Sequence, residues 1–141
     1  MKEQLQTAIA SKDPDAVEEI LTAAIVAGKT DGLVPELIEL LQLSWHSRHE
    51  DVALAIQKLR TRKAIPALKS TALRNHPQYY DDGLALARKC TWALADIGTP
   101  EALEALEELS TSPNTKIAEF AFNRLKNWNL ELHRKGDAQH D

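Results

Sequence analysis

At four matching places in the helical pattern of this chain a small alanine stands directly before a larger apolar residue: Ala24-Ile25, Ala55-Ile56, Ala93-Leu94 and Ala121-Phe122. The steps from alanine to alanine are 31, 38 and 28 residues. A recurring unit of that length is a helix pair, which cannot bury its apolar side alone and must stack on its neighbours. The doublet suits the seam of such a stack, because the alanine lets helices approach closely while its larger neighbour fills the gap between them. A second recurrence marks the partner helix of each pair. Val34-Pro35-Glu36-Leu37 returns as Ile65-Pro66-Ala67-Leu68, and more loosely as Leu103-Glu104-Ala105-Leu106.

Cap signals divide the chain into eight expected helices. A short one covers Lys2 to Ala10. Asp13-Pro14 opens the second, whose apolar face is read as Val17, Ile20, Leu21, Ala24 and Ile25, with Gly28 as its stop. Further helices are expected over Gly32–Leu43, His49–Arg60, from Ala64 to near Asn75-His76-Pro77, and over Asp82–Ile97, closed by Gly98. Thr99-Pro100 caps one to about Leu109. Ser112-Pro113 starts the last, which carries Ile117, Ala121, Phe122 and Leu125 to Trp128. No useful stretch alternates with period two, so no sheet is expected. The reading is an all-α, right-handed superhelix of about four helix pairs. One domain covers residues 1–130, and residues 131–141 form a polar, disordered tail. The helices of Pro14–Ala27, His49–Arg60, Asp82–Ile97 and Thr115–Trp128 should line the concave side.

The run Ala93-Leu94-Ala95-Asp96-Ile97-Gly98-Thr99-Pro100-Glu101-Ala102-Leu103-Glu104-Ala105-Leu106 resembles the joint between two bacterial HEAT repeats of the type also found in phycobilin lyases. Arg88 stands where that pattern usually carries a basic residue early in the second helix. The resemblance covers about Leu33 to Trp128, and Glu50 departs from it by occupying the equivalent basic position in the preceding repeat. What the resemblance implies is a scaffold or partner-binding surface, not a catalyst.

Chemistry-bearing residues offer little against that expectation. Cys90 is the only cysteine, so no internal disulfide can form. It falls on an apolar helix face and reads as a small buried hydrophobe. His46 and His49 have a spacing that two metal ligands could share, but zinc needs three or four, and solvated loop histidines are the expected account. Glu101, Glu104, Glu107 and Glu108 lie on one helix as a solvated face. The five glycines are scattered, without a phosphate loop. No catalytic residue, metal or cofactor is therefore expected. Neither a signal-peptide core nor a bilayer-length apolar stretch is present, which favours the cytoplasm and no membrane partner.

Binding surfaces are better marked. The residue just before each seam alanine is Ala23, Leu54, Trp92 and Phe120, a row that grows into large apolar side chains at positions the family pattern usually leaves polar. Aligned apolar anchors make a recognition groove; packed sideways, the same residues would fill gaps between helices. Lys58 with Gln57, Asp96, and Asn123 with Arg124 give a polar border one turn on. A second candidate is the inserted connection His76–Asp81, with both tyrosines of the chain, Tyr79 and Tyr80. Between Arg48 and Arg74 seven basic residues face two acids, whereas the whole chain carries −4.

The expected function is protein–protein interaction through Leu54, Trp92, Phe120, Lys58, Asp96, Arg88 and Asn123. One concrete form is a small acidic bacterial immunity protein that masks a toxin. The chain would be a monomer or a weak homo-oligomer. Two alternatives differ in class. A nucleic-acid-binding protein would use the Lys58–Lys63 turn, although overall acidity opposes it. A phycobilin-lyase-like protein would hold an apolar chromophore on the concave aromatics.

Overall fold

The computed structural model describes residues 1–132. Every regular element among them is helical: α1 (Lys2–Ala10), α2 (Pro14–Ala27), α3 (Val34–Gln42), α4 (His49–Leu59), α5 (Ile65–Leu73), α6 (Leu84–Ile97), α7 (Pro100–Leu109), α8 (Thr115–Lys126) and α9 (Trp128–Leu132). Short 3-10 turns at Thr30–Leu33 and Arg62–Ala64 lead into α3 and α5. The pairs are α1/α2, α3/α4, α5/α6 and α7/α8. The first helices stack α1 on α3 on α5 on α7, while α4, α6 and α8 stack as a second row. This is an all-α helical-repeat solenoid.

Local chemistry sets the boundaries. The Asp13 carboxylate accepts the Ala16 N–H, and Pro14 occupies the first turn of α2, where its missing donor costs nothing. Thr99 caps α7 in the same way through the Ala102 N–H, ahead of Pro100. Gly28 and Gly98 end α2 and α6 in the left-handed region, at φ 66° and 72°. Several expected edges shift, and the last expected helix stops at Lys126, so that Trp128 opens the separate α9. The last long helix is capped by Asn114, whose Oδ1 accepts the Lys116 and Ile117 N–H groups, rather than by Ser112-Pro113. α6 starts at Leu84 instead of Asp82, because Asp82 and Gly83 both adopt positive φ in the turn before it. The expected Gly32–Leu43 helix divides into the 3-10 turn and α3. At the other end, Glu131 and Leu132 complete α9, while the rest of the tail expected to be disordered lies outside the described residues.

The stacking register is visible in the long-range side-chain bonds. Gln6 to Glu36, Arg48 to Glu18, Thr71 to the Leu41 carbonyl, and Tyr79 to His49 each join residues 30 apart. Gln57 to Asp96 and Lys69 to Glu108 join residues 39 apart. These bonds tie each unit to the next one at separations close to the repeat length, as expected when every unit touches only its neighbour. The seam alanines Ala24, Ala93 and Ala121 are fully buried, and Ala55 nearly so. The residue after each behaves differently along the stack. Ile56 and Leu94 are buried between rows, but Ile25 and Phe122 are 41% and 59% exposed, contrary to the inward placement expected for both. In the middle repeats a next second helix covers this position. At Ile25 α4 stands off from α2, and no further pair follows α8 among the described residues to cover Phe122.

The histidines also depart from expectation. His46 and His49 are buried, not solvated, and His76 is buried beside them. Each Nε2–H donates to a carbonyl at a helix end: His46 to Leu40, His49 to Leu43, and His76 to Thr71. They do for α3 and α5 what a C-cap does, with Arg74 adding bonds to the Leu41 and Gln42 carbonyls. The His46 and His49 rings stack with centroids 4.0 Å apart. Burial lowers the pKa of His46, and burial followed by the neighbouring His46 lowers that of His49 to about 4. Gly83, at φ 88°, lies against this cluster, where a Cβ would fall 2.6 Å from the His76 ring.

Candidate binding surface

The helices α4, α6 and α8 run side by side and present equivalent positions on one outer face. The residues before the seam alanines occupy its midline: Leu54 is 41% exposed, and Trp92 and Phe120 are half-buried. None of the three points into the core, so the row stands at the surface. It is not bare, however. The Arg124 guanidinium carbon lies over the Trp92 ring, 3.4 Å from its centre, and the group is held there by Glu131 of α9 at 2.8 Å. That stacking gives Trp92 a cation partner from α8 and turns an isolated aromatic into part of the α6–α8 joint.

Three depressions follow the face. Between α2 and α4, where the helices part, Ile25, Leu54, Ala55 and Lys58 line a cleft of about 260 Å³. Between α4 and α6, Glu50, Gln57, Ala85, Arg88, Lys89 and Trp92 line a groove of about 350 Å³. A smaller one of about 100 Å³ runs between α6 and α8 past Arg88, Trp92, Phe120, Asn123 and Arg124. Six of the expected residues (Leu54, Trp92, Phe120, Lys58, Arg88 and Asn123) therefore meet on one surface. Arg88 borders two of the depressions and is exposed, and its guanidinium has no ion pair or hydrogen bond among the described residues.

Asp96 has a different situation. Its carboxylate accepts from Gln57 Nε2 at 2.8 Å, and its carbonyl accepts from Arg60 Nε at 2.6 Å, so it helps fasten α4 to α6. Arg60 closes α4 at φ 53°, which puts part of the basic turn into packing. The two tyrosines lie apart from the row, in the connection before α6. Tyr79 is half-buried and donates its hydroxyl to His49 Nδ1 at 2.6 Å, whereas Tyr80 is fully exposed. In the same connection Asp81 accepts the Gly83 and Ala85 N–H groups, and the Ala85 bond is the main cause of its lowered pKa. That connection is thus pinned to the histidine cluster and caps α6.

Nothing on the face resembles reaction machinery. Cys90 lies behind it, fully buried, and burial pushes its thiol up to about 12. Among the described residues no three His, Cys, Asp or Glu side chains converge as a metal site would require, and no helix is long and apolar enough to cross a membrane.

Sequence reading located the midline row but missed two features. Arg124 was legible only as a polar border; its place over Trp92 depends on α9 and on the facing of α6 by α8. The α2–α4 cleft left no sequence signal, because Ile25 has the same pattern position as the buried Ile56. The region that resembled a HEAT joint carries independent support: the family model described as PBS lyase HEAT-like repeat matches residues 86–112, from the first turn of α6 through α7. No curated protein and no solved structure matches the chain.

Proposed function

We propose that this chain is a non-enzymatic protein-interaction module that binds its partner on the face of α4, α6 and α8. The observation that carries the reading is the alignment of Leu54, Trp92 and Phe120 at equivalent positions of stacked helices, outside the core and flanked by Arg88, Lys58 and Asn123. Rigid aromatic anchors bordered by polar groups supply most of the affinity of a protein interface. The HEAT-like repeat at residues 86–112 agrees with a role as a helical scaffold. In its narrowest form the reading is that of a bacterial immunity protein covering a basic toxin. The net charge of −4 favours such a partner, and Glu50 and Asp51 on α4 mark the end of the face where its cations would sit.

The test is capture of proteins from a lysate by immobilised wild type and by a Trp92→Ala/Phe120→Ala variant with native helical content. The wild type should retain a protein that the variant loses. Equal retention by both would remove the aromatic row as the site.

A further inference from the structure

The charges on the second-helix face are arranged in opposite halves, and this arrangement is complementary to itself. At the position five residues before each seam alanine stand Glu19, Glu50, Arg88 and Lys116, in order along the stack. The side chains of Glu19, Arg88 and Lys116 are exposed and make no ion pair or hydrogen bond among the described residues, and that of Glu50 has only a long contact of 3.9 Å to Lys89. Three residues after each seam alanine the order is Ala27, Lys58, Asp96 and Arg124. On the midline it is Ala23, Leu54, Trp92 and Phe120.

We propose that a second copy of this chain is a partner of this face, related to the first by a two-fold axis that runs parallel to the helices between α4 and α6. Such an axis carries each position onto the equivalent one counted from the other end of the stack. Glu19 then meets the other copy's Lys116, and Glu50 meets its Arg88. On the midline, Leu54 meets its Trp92. Both charged pairings are opposite in sign and the midline pairing is apolar. Shape agrees as well. The α2–α4 end holds the 260 Å³ cleft lined by Ile25 and Leu54, and the end brought opposite it carries Phe120. Helices about 9 Å apart, with about three turns exposed on each, would cover roughly 500 Å² per copy. That total lies at the low end for a specific complex, so the dimer is weak, with a dissociation constant of order micromolar or above. The inference rests on the reading that this face is a binding surface, and it names one occupant for it.

Sedimentation equilibrium tests it. The wild type should pass from 15.7 kDa towards twice that mass with rising concentration, and added salt should weaken the association. Glu19→Lys/Glu50→Lys makes the face largely basic and Arg88→Glu/Lys116→Glu makes it largely acidic. Each variant alone should be at least ten-fold weaker in self-association, whereas an equimolar mixture should form a heterodimer at least as tight as the wild-type dimer. A wild type that stays monomeric to roughly millimolar concentration, an association indifferent to salt, or two variants that self-associate like wild type would each overturn the proposal. Salt dependence of the wild type decides the matter even if a variant fails to fold. A monomeric wild type whose Trp92→Ala/Phe120→Ala variant still loses a captured protein would refute the dimer alone; unchanged capture as well would refute the face.

Discussion

Acidification should destabilise this protein through a buried histidine. His49 is 1% exposed, and both ring nitrogens are engaged: Nε2–H donates to the Leu43 carbonyl and Nδ1 accepts the Tyr79 hydroxyl. A second proton on Nδ1 would sit against that hydroxyl, on a ring whose centroid is 4.0 Å from that of the stacked His46. Its pKa falls from 6.5 to about 4 in the folded chain, so the unfolded chain binds more protons between those values. Stability is therefore whole above pH 6.5 and is lost as the pH falls towards 4. Two and a half units correspond to about 3 kcal/mol at the limit, of which about 1.4 kcal/mol is lost by pH 5.5. His46, lowered in the same direction by burial, adds to this loss. Urea unfolding at about pH 7.5 and 5.5, followed by far-UV circular dichroism, measures the effect. With a slope of about 2 kcal/mol/M, the midpoint should fall by at least 0.7 M on acidification. In His49→Gln the absolute stability drops, but the change between the two pH values should shrink to less than half. A wild-type midpoint independent of pH, or a variant with the full wild-type change, would refute the claim that His49 is held neutral.

Other perturbations read other parts of the structure. Gly83→Ala should cost at least about 2 kcal/mol, from positive φ plus collision with the His76 ring, while Gly28→Ala meets only the backbone penalty of about 1 kcal/mol; chemical denaturation of the two variants gives the comparison. Cys90, fully buried with its thiol pushed up to about 12, should resist a disulfide reagent at pH 8 until the protein unfolds, and rapid labelling of the native protein would contradict its burial. Arg124→Met removes the cation stacked on Trp92 and the ion pair with Glu131. It should alter tryptophan fluorescence in the native state and cost about 1 kcal/mol, with the far-UV spectrum unchanged.

Periodicity and caps were enough to place the eight long helices and their pairing, because these signals act within a few residues of chain. Asp13-Pro14, Thr99-Pro100 and the glycines after α2 and α6 punctuate the backbone whatever lies around them. The repeated alanines identified the seam, since a close approach of helices needs a small side chain wherever it occurs. Even the midline row of Leu54, Trp92 and Phe120 was legible as a position within the repeat. The chain alone could not say how each position is covered. Ile25, Ile56, Leu94 and Phe122 share one pattern, yet two are buried and two exposed, because burial depends on whether the next helix pair stands close. Likewise His46 and His49 looked like loop residues until α3 and the connection before α6 folded around them, supplying carbonyls and a tyrosine hydroxyl from up to 30 residues away. Local sequence settled which segments are helices and where they stop; burial, pKa and the shape of the face came from neighbours distant in the chain, whose contacts exist only after stacking.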